Sequence, residues 1–231
     1  MGKKIAIYGA GTIGACQATL TSGNGYSTVV IGHSEEGLSR CRNTMLQNWN
    51  DLIAQKLATA ANRRAAMDLV TITNDVSALR DCDIVFEAVS EDVNIKQRVY
   101  SIITEVCGRD IIVVSTTSSI DAAILAEKIE NPARFLIAHP FQPVHMLPLV
   151  EVVRHTETSE ETLNQVCTLL KDLNRQVVML NRSVPGFLVN RFAQALFRES
   201  IYLIEQGITT AADIDRAIKY AVGMRYASIG L

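Results

Sequence analysis

The chain has 231 residues, 48% of them apolar and 20% charged, and a net charge of −2. That length suits one large domain, or one domain and part of another, with enough apolar side chains for a sizeable core. Its 22 Lys and Arg are scattered rather than gathered into a stripe, which argues against a nucleic-acid partner, and no apolar run reaches the roughly 18 residues of a membrane span.

Lys3 and Lys4 lead at once into a strand-like run, so no signal peptide is expected. Short β-branched runs then alternate with longer helical patterns. The runs predict strands at Lys4–Tyr8, Thr28–Ile31, Thr71–Thr73, Asp83–Glu87, Ile111–Ser115 and Phe135–His139. Helices are predicted at Thr12–Ser22, Gly37–Asn50, Ala54–Asp68, Val93–Cys107 and Asp121–Glu127. Several strands are apolar on both faces, as a covered parallel sheet requires. The alternation predicts a Rossmann-type, doubly wound, mostly parallel α/β sheet. Leu149–Val153 and Gln176–Leu180 read as further strands, with a helix at Glu160–Leu173 between them. At Pro185 the character changes: Gly186–Gln206 and Thr210–Tyr220 read as helices, the second opened by Thr209 or Thr210 ahead of Asp213, and a tail follows. Residues 1–184 therefore read as a nucleotide-binding domain and 185–231 as the start of an all-helical C-terminal domain.

Gly9-Ala10-Gly11-Thr12-Ile13-Gly14 fits G-x-G-x-x-G, after a strand and at the opening of a helix. Gly9 permits the tight turn, Gly11 lets a pyrophosphate approach the main chain, and Gly14 lets the helix pack on the sheet. The N–H groups at the helix start, at Thr12 and Ile13, then bind the phosphates. The plain reading is an ordinary strand–turn–helix. NAD readers place Asp or Glu at the end of the second strand. Here that place holds Gly32-His33-Ser34, with Glu35 and Glu36 beyond and Arg40 and Arg42 farther on in the next helix. His33 is either a cofactor contact or a loop residue. NAD is favoured, because the glutamates would repel a 2′-phosphate, and NADP stays open.

The five cysteines are odd in number and far apart, with no CxxC, so no metal site is expected and a reduced, cytoplasmic protein is. The fifth strand ends in Ser115-Thr116-Thr117-Ser118-Ser119 and the sixth in His139. Both ends face the crevice where open α/β sheets bind ligands. Glu151 sits among Leu149 and Val153, where a carboxylate is costly without a partner, and His139 is the candidate across the turn. Such a set suits alcohol oxidation: a neutral imidazole takes the hydroxyl proton, a carboxylate fixes its tautomer, and a serine bonds the oxygen. Taken singly, His139 could be a capping or core residue, the hydroxyl run a turn, and Glu151 a lysine's partner. His145 and His155 read as loop residues.

The stretches GAGTIG, HPFQPVHMLPLVEVV and VPGFLVNR, in this order, resemble the L-3-hydroxyacyl-CoA dehydrogenase family over essentially the whole chain. The resemblance implies a dehydrogenase of fatty acid metabolism. It gives the catalytic pair, a histidine and a glutamate 12 positions apart, to His139 and Glu151. It gives the substrate serine, 21 residues before the histidine, to Ser118. The helix asparagine near the substrate becomes Asn190, and the glutamate and lysine on the cofactor side become Glu91 and Lys96 in EAVSEDVNIK. Thr116 departs from the asparagine of many members, and His33 from the aspartate of NAD-using ones. Family members continue beyond this end with helices that make a homodimer. Gly223-Met224-Arg225-Tyr226-Ala227 resembles the λ-crystallin, L-gulonate 3-dehydrogenase and carnitine dehydrogenase branch, which acts on free, polar 3-hydroxy acids. Arg225 is then the carboxylate contact, or else an exposed helix-end residue. The expected reaction is hydride transfer at C3 of a 3-hydroxyacyl-CoA or a related free acid, a small-molecule substrate. The competing reading is a non-catalytic dinucleotide-binding module, structural or regulatory.

Overall fold

The strand-like runs pair into one eight-stranded sheet in the computed structural model, which describes residues 3–230. Strands β1 (Lys4–Tyr8), β2 (Ser27–Ile31), β3 (Val70–Thr73), β4 (Ile84–Glu87), β5 (Ile112–Ser115) and β6 (Phe135–Pro140) run parallel in the order β3-β2-β1-β4-β5-β6. Strand β7 (Leu149–Arg154) adds antiparallel to β6, and β8 (Gln176–Leu180) adds parallel to β7. This is the Rossmann-type, mostly parallel sheet that the alternation predicts. Every residue of β4, β5 and β6 is buried, as strands apolar on both faces require.

The helices of this part are α1 (Thr12–Gly23), α2 (Glu35–Ala54), α3 (Ala60–Asp68), α4 (Val93–Cys107), α5 (Ala122–Ala126) and α6 (Glu160–Asp172). Helix α2 starts two residues before the expected Gly37, because the Ser34 hydroxyl caps it by accepting from the Gly37 amide. It ends at Ala54, and Lys56 at φ 60° turns the chain out of the helical path. Helix α3 begins at Ala60 and not at Ala54. Thr59 and Asn62 cap each other's backbone N–H reciprocally there, a signal the apolar periodicity does not carry.

Chain contacts divide the protein into two compact units, Met1–Pro185 and Gly186–Leu231. In the second, α7 spans Val189–Glu205 rather than starting at Gly186, since Gly186 at φ 75° and Phe187 at φ 48° lie outside the right-handed helical region. Helix α8 (Ala211–Ala217) opens at Thr210, whose hydroxyl accepts from the Asp213 amide. A π-helical turn, Ile218–Val222, carries it into α9 (Gly223–Ile229), so the expected tail is helical.

Helix α1 is buried at every position from Gly14 to Ser22 although it carries Gln17, Thr19, Thr21 and Ser22. The hydroxyls satisfy themselves within the helix, Thr19 donating to the Ala15 carbonyl at 2.8 Å and Ser22 to the Ala18 carbonyl at 2.7 Å. Small side chains let the helix lie close on β1. A Cβ at Gly14 would stand 1.8 Å from the Gly9 carbonyl oxygen and 3.4 Å from Ile7 Cγ2. Gly14→Ala is therefore expected to cost at least about 2 kcal/mol, read as a fall of about 5 °C or more in Tm. A variant melting with the parent would show that the turn relaxes without penalty.

Candidate active site

Strand β1 lies where the strand order reverses, between β2 and β4, so the turn after it opens into the crevice at the carboxyl ends. Gly9 has φ 132°, and a Cβ there would stand 2.3 Å from the Ala88 carbonyl oxygen. A Cβ at Gly11 would meet nothing within 4 Å. Gly11 instead lines a cavity of about 300 Å³ with Gly9, Ala10, Thr12, His33, Gly37, Arg40, Thr44, Ala88, Val89 and Ser90. Helices α2 to α6 are capped by the side chains of Ser34, Thr59, Asp92, Asp121 and Ser159, whereas no side chain caps α1 at Gly11. Open space at Gly11 and a first turn without a side-chain cap fit a dinucleotide pyrophosphate.

Beside this turn, β4 ends in a carboxylate with no solvent exposure. Glu87 accepts from Lys96 Nζ at 2.7 Å, Tyr100 Oη at 2.8 Å, Ser115 Oγ at 2.8 Å and the Val89 amide at 2.9 Å. Burial, and then the Glu87 charge, push the Tyr100 phenol far above its ordinary range, so it stays a donor. The Lys96 ammonium, itself 1% exposed, also reaches Glu91 at 3.3 Å. Glu91 accepts in addition from Thr117 Oγ1 at 2.5 Å, the Ser118 amide at 2.9 Å, the Ser119 amide at 3.2 Å and the Ser118 hydroxyl at 3.3 Å. Burial raises the Glu91 carboxyl, but the Thr117 hydroxyl, Lys96 and the Ser118 amide together outweigh it and hold it below the ordinary carboxylate value.

On the neighbouring strands the antiparallel register sets His139 directly opposite Glu151. His139 Nδ1 lies 2.8 Å from Glu151 Oε2, with Glu151 fully buried and His139 6% exposed. Against a carboxylate oxygen, Nδ1 is the donor. Phe141 meets the imidazole edge-on at a centroid distance of 4.6 Å. His139 lines a second cavity, of about 330 Å³, with Ile13, Glu91, Lys96, Thr116 and Ser118. Ala88 and Val89 line both cavities, so the two adjoin along one wall. A larger hollow of about 570 Å³ beside Arg154, His155 and Arg182 shares no residue with either, and size alone does not mark the site.

The structure thus gathers His139, Glu151, Ser118, Glu91 and Lys96 around one cleft, with Gly9, Gly11, Thr12 and His33 around the next. Ile13 lines the His139 cleft, and Gly14 lies beneath the turn against Gly9. Asn190 lies in the first turn of α7 and Arg225 is exposed on α9, both in the second unit. His145 and His155 lie in loops, and the buried His145 Nδ1 has no hydrogen-bond partner. The sequence reading missed Glu87, although a lone carboxylate ending the apolar run Ile84-Val85-Phe86 was a visible signal. It placed Arg40 in the next helix, where it is found, but gave it no part in the site, whereas Gly37, Arg40 and Thr44 line the cavity from one helix face.

A glycine turn of this kind, with an imidazole–carboxylate pair in the adjoining cleft, defines a nicotinamide-dependent oxidoreductase acting on a CH–OH group. Residues 4–183 match the family profile 3-hydroxyacyl-CoA dehydrogenase, NAD binding domain, and residues 186–231 match 3-hydroxyacyl-CoA dehydrogenase, C-terminal domain. The L-carnitine dehydrogenase of Bacillus cereus is 32% identical over 229 residues, 99% of this chain and 69% of that protein. The 3-hydroxybutyryl-CoA dehydrogenase of Clostridioides difficile is 29% identical over 216 residues, 94% of this chain and 76% of that one. Among solved structures, a 5-formyl-3-hydroxy-2-methylpyridine 4-carboxylic acid 5-dehydrogenase, described as an NAD+ dependent dismutase, superposes with a TM-score of 0.90 at 31% identity, covering 100% of this chain and 74% of its own. The chain belongs to the 3-hydroxyacyl-CoA dehydrogenase family, and NAD is its cofactor.

The depressed Glu91 carboxyl has a consequence for acid stability. Its folded-state value lies below the unfolded value near 4.5, so it stabilises the protein fully above that pH and loses the contribution as pH falls through the folded value. Glu91→Gln should lower Tm at neutral pH by no more than about 4 °C, since the side chain is partly exposed. The gap should close as pH drops below 4.5. A gap that stays constant from neutral to acid pH would mean that the charge of Glu91 contributes nothing.

Proposed function

We propose that the chain transfers hydride between NAD and C3 of a 3-hydroxyacyl-CoA or a related free 3-hydroxy acid, with His139 as the general base. The 2.8 Å contact between His139 and Glu151, beside the cleft that adjoins the glycine-turn cavity, carries the reading. Bound NAD supplies the hydride acceptor, held by the turn at Gly9, Gly11 and Gly14 and by the N–H groups of Thr12 and Ile13. With Nδ1 on Glu151, the C3 hydroxyl proton goes to Nε2. Glu151 fixes the ring and stabilises the imidazolium that forms. The Ser118 hydroxyl holds the substrate oxygen, while Glu91 and Lys96 form the cofactor-side wall. Asn190 is assigned to the substrate. A binding module without turnover would have no use for a buried carboxylate on the ring.

L-Carnitine, the compound in the name of one relative, is a free acid, and the same class of substrate suits this chain. Arg225 is then the carboxylate contact, through a two-pronged guanidinium pair. Residues 1–184 serve as the nucleotide-binding part and 185–231 as the start of a substrate and dimerisation domain. The reading includes a homodimer and a cytoplasmic setting, where five unpaired thiols are stable.

A panel of carnitine, L-gulonate and 3-hydroxybutyryl-CoA, followed by NADH formation, tests the activity. His139→Gln should lower kcat by about 10²–10⁴-fold while NADH binding survives. Undiminished turnover in that variant would assign the proton to another group. Arg225→Ala should raise KM for a free acid by about tenfold and spare the thioester. An unchanged KM for every acid would remove the carboxylate role.

A further inference from the structure

We propose that this protein accepts the 2′-phosphorylated dinucleotide NADP(H) alongside NAD(H), and that His33 and Arg40 set the ratio between the two. The inference rests on the dehydrogenase reading and concerns the opposite end of the cofactor. An NAD-selective site places a carboxylate about 20 residues after the glycine turn, at the end of the second strand, where it binds the ribose 2′-hydroxyl and repels a phosphate. His33 occupies that place, 19 residues after Gly14. Among the described residues no Asp or Glu lines the cavity at the glycine turn; His33, Arg40 and Thr44 supply its polar side chains at this end.

Of the two nearby glutamates, Glu35 is turned to another partner and Glu36 lies against Arg40 itself. Glu35 accepts from Asn74 Nδ2 at 3.0 Å. Glu36 pairs with Arg40 one helical turn on, but the two side chains are 82% and 65% exposed, and an exposed pair of this kind holds its members weakly. A phosphate dianion offers the guanidinium a stronger, charge-assisted partner. The imidazole of His33 and the hydroxyl of Thr44 add donors. The cavity lining therefore lacks the carboxylate that excludes NADP(H), and it holds a cation that can bind the phosphate in exchange for its exposed pairing with Glu36.

Fluorescence titration of the full chain with NADH and NADPH tests this without requiring turnover. The parent should bind NADPH within about tenfold of NADH, and Arg40→Ala should lower the NADPH-to-NADH affinity ratio by about tenfold, the loss of one charge-assisted contact. His33→Asp should lower the same ratio by restoring the repelling carboxylate. The inference is overturned if NADPH binds the parent more than about 100-fold more weakly than NADH, or if both variants leave the ratio unchanged. Binding of NADH alone leaves the dehydrogenase reading standing; binding of neither dinucleotide removes both.

Discussion

A carboxylate with no exposure, flanked along its strand by valines, is tolerated only if a partner meets it at hydrogen-bonding distance. The antiparallel pairing of β6 with β7 supplies that partner. In such a ladder, residues directly opposite project to the same face, so His139 and Glu151 share one side of the sheet. The parallel connections elsewhere could not do this in so short a stretch, because each needs a long crossover. One change of strand direction, next to the crevice of an otherwise parallel arrangement, brings an imidazole and its carboxylate together beside the dinucleotide turn.

The remaining polar groups are arranged around Glu87. Strand β4 delivers it, α4 delivers Lys96 and Tyr100, and β5 delivers Ser115. Lys96 joins this cluster to Glu91, and Glu91 gathers the amides and hydroxyls of Thr117, Ser118 and Ser119. The loop that carries Ser118 is thereby tied to the same ammonium that neutralises Glu87. Such a network stiffens a loop that would otherwise have to be ordered by the substrate.

Much of this was legible in the chain. The strands could be read because each is a short β-branched run, and β1 and β8 fall where the runs predict them. Gly9, Gly11 and Gly14 could be read because their spacing and context carry a mechanism, and His139 with Glu151 because an apolar strand cannot leave a carboxylate without a partner. The helix starts were less legible, since α3 depends on a Thr59–Asn62 exchange and α7 on two residues with positive φ. The Glu87 cluster was hidden for a different reason. Its members lie on three elements, and only the sheet order makes β4 and β5 neighbours. Arg40 could be placed in the helix after the second strand, but only the structure shows that α2 turns Gly37, Arg40 and Thr44 toward the glycine-turn cavity.

Ala88 and Val89 close the wall common to both cavities, immediately after the last residue of β4. One dipeptide therefore acts as a common datum for the two halves of an elongated ligand. The turn at Gly9–Thr12 completes one seat and Ser118 with His139 the other, so a bulkier side chain at position 88 would crowd both halves of the ligand at once.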